Sequence, residues 1–419
     1  METVRYAEFG LEMNRLVISQ RIAAIGTIEV TRRCPLECAH CYNNLPMDDQ
    51  KARSRELTYQ ELCGILDEMA DAGCLWLLFT GGEIFARRDF LDIYTYAKRK
   101  GFLITLFTNG TLITPKIADY LAGWKPFAIE ITLYGHTKET YERLTGIPGS
   151  YDMCIRGINL LKERGLPLKL KTVAVSINKH EIWDMKQFAE EMGLEFKFDA
   201  MMNPRIDCSQ SPLAVRLTPE EVVAMDLQDP RRVEEWQRFA QQFNGPSHTP
   251  EHSDEVYHCG GGISSFAIDP EGKMSICVLS HVDAYDLRKG SFREGWDDFL
   301  LKARSKKISL ITKCVDCQIK AVCGMCPANG ELENGHPEKP VDFLCHVAHL
   351  RAQVMGFPAP PHGECEYCEG GAGYEELTRS VAMLENAEVR TLLATARSRS
   401  LPVIGSAGSS SVGCSSCGV

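Results

Sequence analysis

VTRRCPLECAHCYNN, running from Val30 to Asn44, places Cys34, Cys38 and Cys41 in a C-x3-C-x2-C spacing directly after the strand-like run GTIEVT. The next strand-like run, CLWLLFT from Cys74 to Thr80, is continuously apolar, the pattern of a parallel strand covered on both faces, and leads into the polar turn TGGE, Thr80 to Glu83. Between the two, a helix is predicted to begin at Thr58, which with Glu61 makes a capping box. It carries Leu62, Ile65, Leu66 and Met69 on one face and stops at Gly73.

The alternation continues outward. A helix near Phe90 to Lys100, the strand FLITLFT, an Asn109-Gly110 turn and a helix capped by Thr114 with Pro115 come next, then the strands FAIEITL, LKLKTVAV and LEFKFD with helices between them. Six such units between Gly26 and Asp199 imply an α/β fold, a partial (β/α)6 TIM-like barrel. It is expected to be open, since a closed eight-unit barrel takes about 250 residues. Domains are read as a short extension (1–25), the barrel (26–203), a helical linker (204–258), a cysteine-rich part with weak regular structure (259–350) and an extension (351–419). That extension holds one helix and a Ser/Gly-rich tail expected to be mobile.

The chain has 419 residues, 44% hydrophobic, with a formal charge of -10 and 18 cysteines. The negative balance gives no footprint for nucleic acid or anionic lipid, because phosphate binding needs clustered Lys and Arg. No apolar run is long enough to span a bilayer and no secretory signal opens the sequence, so a cytoplasmic protein is expected. Thiols there stay reduced, which makes metal ligation the better account of the cysteines than disulfides. Cys63, Cys74 and Cys154 fall in helix or strand patterns and are read as core thiols.

In parallel β/α folds active sites gather at the carboxyl ends of the strands, so the three loop thiols and TGGE should face each other across one mouth. Three thiolates can hold three irons of a [4Fe-4S] cluster and leave the fourth open to another ligand. A zinc knuckle of the same thiols with His40 is the competing reading. This combination resembles the radical S-adenosylmethionine (radical SAM) superfamily, whose motif has an aromatic residue, here His40, before the last cysteine. The resemblance implies that S-adenosylmethionine chelates the open iron and is reductively cleaved to a 5'-deoxyadenosyl radical. It also implies cofactor contacts at Gly81, Gly82 and Glu83, these three through the cofactor's ammonium, and at Asn109, Thr132 and Arg143. The family's Ser-x-Asp-Gly turn is here Thr132-Leu133-Tyr134-Gly135.

A second set of thiols follows: Cys259, Cys277, the run Cys314-x2-Cys317-x5-Cys323-x2-Cys326, and Cys345. Four-Cys zinc sites share such spacing. Beside a radical SAM motif the arrangement resembles the SPASM extension with two auxiliary clusters. That resemblance assigns Cys314, Cys317, Cys323 and Cys345 to one cluster and Cys259, Cys277 and Cys326 to the other. Cys208, Asp254, His258 or the substrate is left as its fourth ligand. Cys365-x2-Cys368 and Cys414-x2-Cys417 stand outside the pattern.

Within the superfamily the resemblance is to peptide-modifying members that mature ribosomal peptides by thioether or other cross-links. The implied partners are a peptide or protein substrate and a reduced flavodoxin or ferredoxin-type donor. The residues before Cys34 are too few for a fused leader-binding domain, so a leader peptide, where the substrate has one, is expected to be held by a separate leader-binding protein or by another surface. A sulfatase-maturase-like or tetrapyrrole-modifying enzyme is the enzymatic alternative, and a zinc-stabilised interaction protein the non-enzymatic one.

Overall fold

The computed structural model describes residues 6–243, 254–280 and 282–397. Its main sheet starts with six parallel strands: β1 (Ile25–Glu29), β2 (Trp76–Thr80), β3 (Leu103–Thr108), β4 (Ala128–Thr132), β5 (Leu168–Val173) and β6 (Glu195–Asp199). Each pairs with the next in sequence and β6 ends the row, so the barrel is open as expected. The intervening helices are α1 (Tyr59–Asp71), α2 (Phe90–Arg99), α3 (Pro115–Gly123), α4 (Lys138–Thr145), α5 (Ser150–Glu163) and α6 (Ile182–Glu191).

Strand parity decides which face is which. Leu77 and Phe79, Ile104 and Leu106, Ile129 and Ile131, and Leu170 are buried in one core with Ile93, Leu121, Ile158 and Leu161 of the helices. Each such side chain contributes about 1.5–3 kcal/mol by leaving water. The opposite face of β3 to β6 carries Phe107, Glu130, Lys171 and Lys197, joined by Glu130–Lys171 and Glu130–Lys197 ion pairs of 3.2 and 3.1 Å. Helix starts follow their caps: the Thr58 hydroxyl and the Glu61 carboxylate form the reciprocal box at α1, and Thr114 with Pro115 opens α3.

The cysteine-rich part is more regular than its composition implies. Strands β7 (Ser265–Ile268), β8 (Lys273–Ser275) and β9 (Tyr285–Asp286) extend the main sheet, with β7 parallel to β1 and β8 antiparallel to β7. Strands from both sides of residue 259 therefore share one sheet. Helices α7 (Pro219–Gln228) and α8 (Pro230–Phe243) fill the linker, and α9 (Pro327–Asn334) and α10 (Asp342–Met355) flank the last thiols.

Two helices, α11 (Tyr374–Glu385) and α12 (Ala387–Thr395), rather than one, follow. They fold back: Ser380 donates to Glu220 of α7 at 2.6 Å, and the Lys179 ammonium donates to the Leu393 carbonyl at 2.8 Å. Cys414 and Cys417 lie outside the described residues, among which no helix is long and apolar enough to cross a membrane.

Candidate active site

The loop after β1 is closed by a short parallel pairing of Arg33–Cys34 with Leu45–Pro46. Inside it, backbone N–H groups turn toward sulfur: Leu36 donates to Cys34 at 3.4 Å, and Asn43 and Asn44 donate to Cys41. Burial pushes all three thiols up, Cys34 to about 12, with the neighbouring Glu83 carboxylate adding to the effect at Cys34 and the thiols repelling one another. A buried thiol of this kind surrenders its proton to a cationic ligand, and the N–H donors support the thiolate once formed. The donor set fits three ligands of an iron-sulfur cluster.

Side chains that the sequence reading missed hold this loop. Glu29, buried at the end of β1, accepts from the Tyr42 hydroxyl at 2.9 Å and the Asn43 amide at 2.6 Å. Arg33 makes a two-point pair with Glu56 at 2.8 and 3.0 Å. Arg205 donates to the Cys41 and Asn44 carbonyls at 3.2 and 2.9 Å. Glu29 had a signal, a carboxylate at the end of an apolar strand; Arg205, far along the chain, had none.

Gly81 and Gly82 are required by the protein's own backbone. A Cβ on Gly81 would stand 2.1 Å from the Thr31 carbonyl oxygen, and one on Gly82 would stand 2.4 Å from that of Arg32. Gly82 and Glu83 N–H groups donate to the Thr31 and Arg33 carbonyls at 2.7 and 3.0 Å, so the TGGE turn is zipped to the cysteine loop. The fully buried Glu83 carboxylate accepts from the Thr108 hydroxyl at 2.7 Å and from the Asn109 and Phe85 N–H groups at 2.8 and 3.2 Å. Burial raises its pKa to about 7 against those donors. Both carboxylate oxygens are thus engaged within the protein, fastening the end of β2 to the turn after β3. Asn109 in that turn donates its side-chain amide to the Cys34 sulfur at 3.5 Å, and Gly110 follows at φ +76°.

At the end of β4, Thr132 is half-buried and Tyr134 reaches inward, its hydroxyl hydrogen-bonded to the Cys38 sulfur. The His40 ring lies 5.2 Å from the Tyr134 ring and, desolvated, has its pKa lowered to about 4. Tyr134, not the Thr132 singled out from sequence, touches the thiol loop here. Arg143 is exposed on α4.

The other thiols fall into two groups. Cys277, Cys326 and Cys259 act electrostatically on one another, as do Cys314, Cys317, Cys323 and Cys345. The same N–H···S pattern recurs, from Ile319 to Cys317, Met325 to Cys323 and Leu279 to Cys277. The buried Cys154 lacks it, bonding through the Tyr141 side chain, whereas the buried Cys74 accepts a backbone N–H from Gly26. Asp254 is exposed and paired with Lys307 at 2.7 Å, His258 is exposed, and Cys208 sits in a turn at φ +63°. Residues after β6 bridge the thiol sets: Arg205 grips the first loop, while Gln210 donates to the Leu332 carbonyl at 3.1 Å and Arg216 pairs with Glu333, both on the helix that Cys326 opens.

The sequence pattern of the Radical SAM superfamily matches residues 28–190. The chain is 26% identical over 324 residues to the AdoMet-dependent heme synthase of Methanosarcina barkeri, spanning 73% of this chain and 92% of that protein. It is 24% identical over 330 residues to the subtilosin biosynthesis protein AlbA of Bacillus subtilis, spanning 75% and 69%. Its fold is similar to that of Streptococcus suis SuiB bound to precursor peptide SuiA, with a TM-score of 0.58 at 18% identity over 82% of both chains. With the thiol loop, the TGGE turn and the parallel sheet placed as described, residues 28–190 carry a radical SAM domain and the chain is an enzyme.

Proposed function

We propose that this enzyme acts on a peptide or protein, maturing it by a thioether or other cross-link. When bound, S-adenosylmethionine and a [4Fe-4S] cluster on Cys34, Cys38 and Cys41 supply hydrogen abstraction from an unreactive C–H bond. The chain's residues do the rest: Asn109 and Tyr134 hydrogen-bond the cluster thiols, Glu83 fixes the Asn109 turn, and burial of the loop excludes water. Cys259, Cys277 and Cys326, and Cys314, Cys317, Cys323 and Cys345, are the proposed ligands of two auxiliary clusters. The observation that carries the reading is the bridge of residues 205–216, which ties the first thiol loop to the helix opened by Cys326. Such a link supports a reading in which auxiliary redox centres serve the same reaction.

The likeness to AlbA and to the peptide-bound SuiB, extending well past the barrel, supports a peptide substrate. A reduced flavodoxin or ferredoxin, a separate leader-binding protein and a cytoplasmic setting complete the proposal. A tetrapyrrole substrate is the second reading. It is favoured by the heme synthase alignment over 92% of that protein and by the two lysines on the sheet face away from the helices, which suit propionate groups.

The test is 5'-deoxyadenosine formation by the anaerobically purified, reconstituted protein. Iron should be about 12 per chain, falling by about 4 with loss of deoxyadenosine in a Cys34→Ala/Cys38→Ala/Cys41→Ala variant. Cleavage that survives the triple change would end the radical reading. Iron-coproporphyrin losing carboxyl carbon, with cysteine-containing peptides left unchanged, would replace the peptide substrate by the tetrapyrrole.

A further inference from the structure

Four side chains outside the thiol sets discussed so far converge where the chain leaves α10, His349 from the helix itself and His362, Cys365 and Cys368 from the segment after it. His349, His362, Cys365 and Cys368 are all buried, and one ligand atom from each lies within 4.8 Å of every other. Among the described residues this is the one such group of three or more potential metal ligands. The His349 Nε2 stands 3.5 Å from the Cys365 sulfur and 3.9 Å from that of Cys368, and the His362 Nδ1 stands 3.5 Å from Cys368 and 3.0 Å from the Pro360 carbonyl. We propose that these four residues bind one zinc ion in a closed, structural site that clasps the chain leaving α10.

The spacing matches a single ion. Zinc bonds of about 2.3 Å to sulfur and about 2.0 Å to nitrogen set neighbouring ligand atoms roughly 3.6 Å apart at the tetrahedral angle. An iron-sulfur cube carries its protein ligands on separate irons and spreads them wider. The second sphere is in place as well. The His349 Nδ1–H donates to the Cys345 carbonyl at 2.8 Å, which leaves the Nε2 lone pair facing both sulfurs. The Tyr367 N–H donates to the Cys365 sulfur, and the Cys368 and Gly371 N–H groups close the knuckle on the Cys365 and Cys368 carbonyls at 3.3 and 2.8 Å.

Charge balances on binding: two thiols release two protons, and the two thiolates neutralise the dication, so a neutral unit is buried. The hydrogen bond from His349 to the Cys345 carbonyl also ties this site to the backbone of a residue proposed to ligate the second auxiliary cluster.

Zinc and iron are counted in the full-length protein purified without oxygen, and zinc-edge X-ray absorption reads the atoms around zinc. The expected result is one zinc per chain surrounded by two sulfurs and two nitrogens. In Cys365→Ser/Cys368→Ser, zinc should fall at least tenfold with iron per chain unchanged. A wild-type protein without zinc, an all-sulfur shell, a Cys365–Cys368 disulfide, or loss of about 4 irons in the double variant would each overturn the site. Should the double variant fail to fold, His362→Ala keeps both thiols and the His349 hydrogen bond. Its zinc shell is expected to lose one nitrogen, and an unchanged shell would refute the assignment.

Discussion

Asn109 does two jobs with one side chain. Its oxygen accepts from the Thr111 N–H and hydroxyl at 2.9 and 2.6 Å and so fixes the turn, while its amide donates to the Cys34 sulfur at 3.5 Å. A donor to a sulfur bound to iron favours the more negative, reduced state of a cluster, and hydrogen bonds to charged groups contribute about 1.5–3 kcal/mol. Asn109→Leu is therefore expected to retain iron but to shift the reduction potential of the first cluster to more negative values, read by an electron paramagnetic resonance titration. An unchanged potential would reduce Asn109 to a turn residue. Glu83 shows why residue roles are harder to read than residue positions. A carboxylate at a strand end reads from sequence as a ligand for a cation, but its partners Thr108 and Asn109 lie a full β/α unit away, and only the fold reveals that they occupy both of its oxygens. Tyr134 lay in the turn that the sequence reading aligned with the family's, but its role at the Cys38 sulfur was not legible because that turn departs from the family's motif.

Elements were the most legible level, because their signals are local. The Thr58 box, the Thr114-Pro115 start and the apolar runs of β2 to β5 each lie within a few residues, and their helices and strands form there. The pairing of β7 with β1 was not legible, since it joins residues far apart in sequence and no short pattern encodes a register between them. The lysines of β5 and β6 have a consequence that only the element reveals. Lys171 projects from the face shared with Glu130 and Phe107; desolvation lowers its pKa to about 7, with Glu130 pulling the other way. The folded state then binds this proton less tightly than the unfolded chain, so between pH 7 and the ordinary lysine range stability rises with pH. Comparison of wild type with Lys171→Met in denaturant titrations should show the difference moving toward wild type by about 2 kcal/mol from pH 7 to pH 9. A pH-independent difference would mean that Lys171 stays charged against Glu130.

Across the whole molecule, the linker helices α7 and α8 and the helix α10 that follows the cysteine-rich part are joined through one buried carboxylate. Asp226 of α7 accepts from Arg232 at 2.7 Å and from Arg351 of α10 at 2.7 and 3.0 Å. Arg351 also donates to the Val322 carbonyl at 2.6 Å, next to Cys323, and its guanidinium lies 3.9 Å from the Trp236 ring of α8. Removing one partner of a buried pair leaves the other charge uncompensated and typically costs about 3–5 kcal/mol. Asp226→Asn should lower the denaturation midpoint well beyond the effect of Lys307→Ala, which breaks the solvent-screened, exposed pair with Asp254 and should leave the midpoint nearly unchanged. Because the Arg351 hydrogen bond ends beside Cys323, the damage should not be uniform. Iron at the Cys314, Cys317, Cys323 and Cys345 set should be lost on mild heating before iron at Cys34, Cys38 and Cys41, which Arg33, Glu56 and Arg205 hold independently. Simultaneous loss from both sets would show instead that α7, α8 and α10 form one cooperative unit with the barrel.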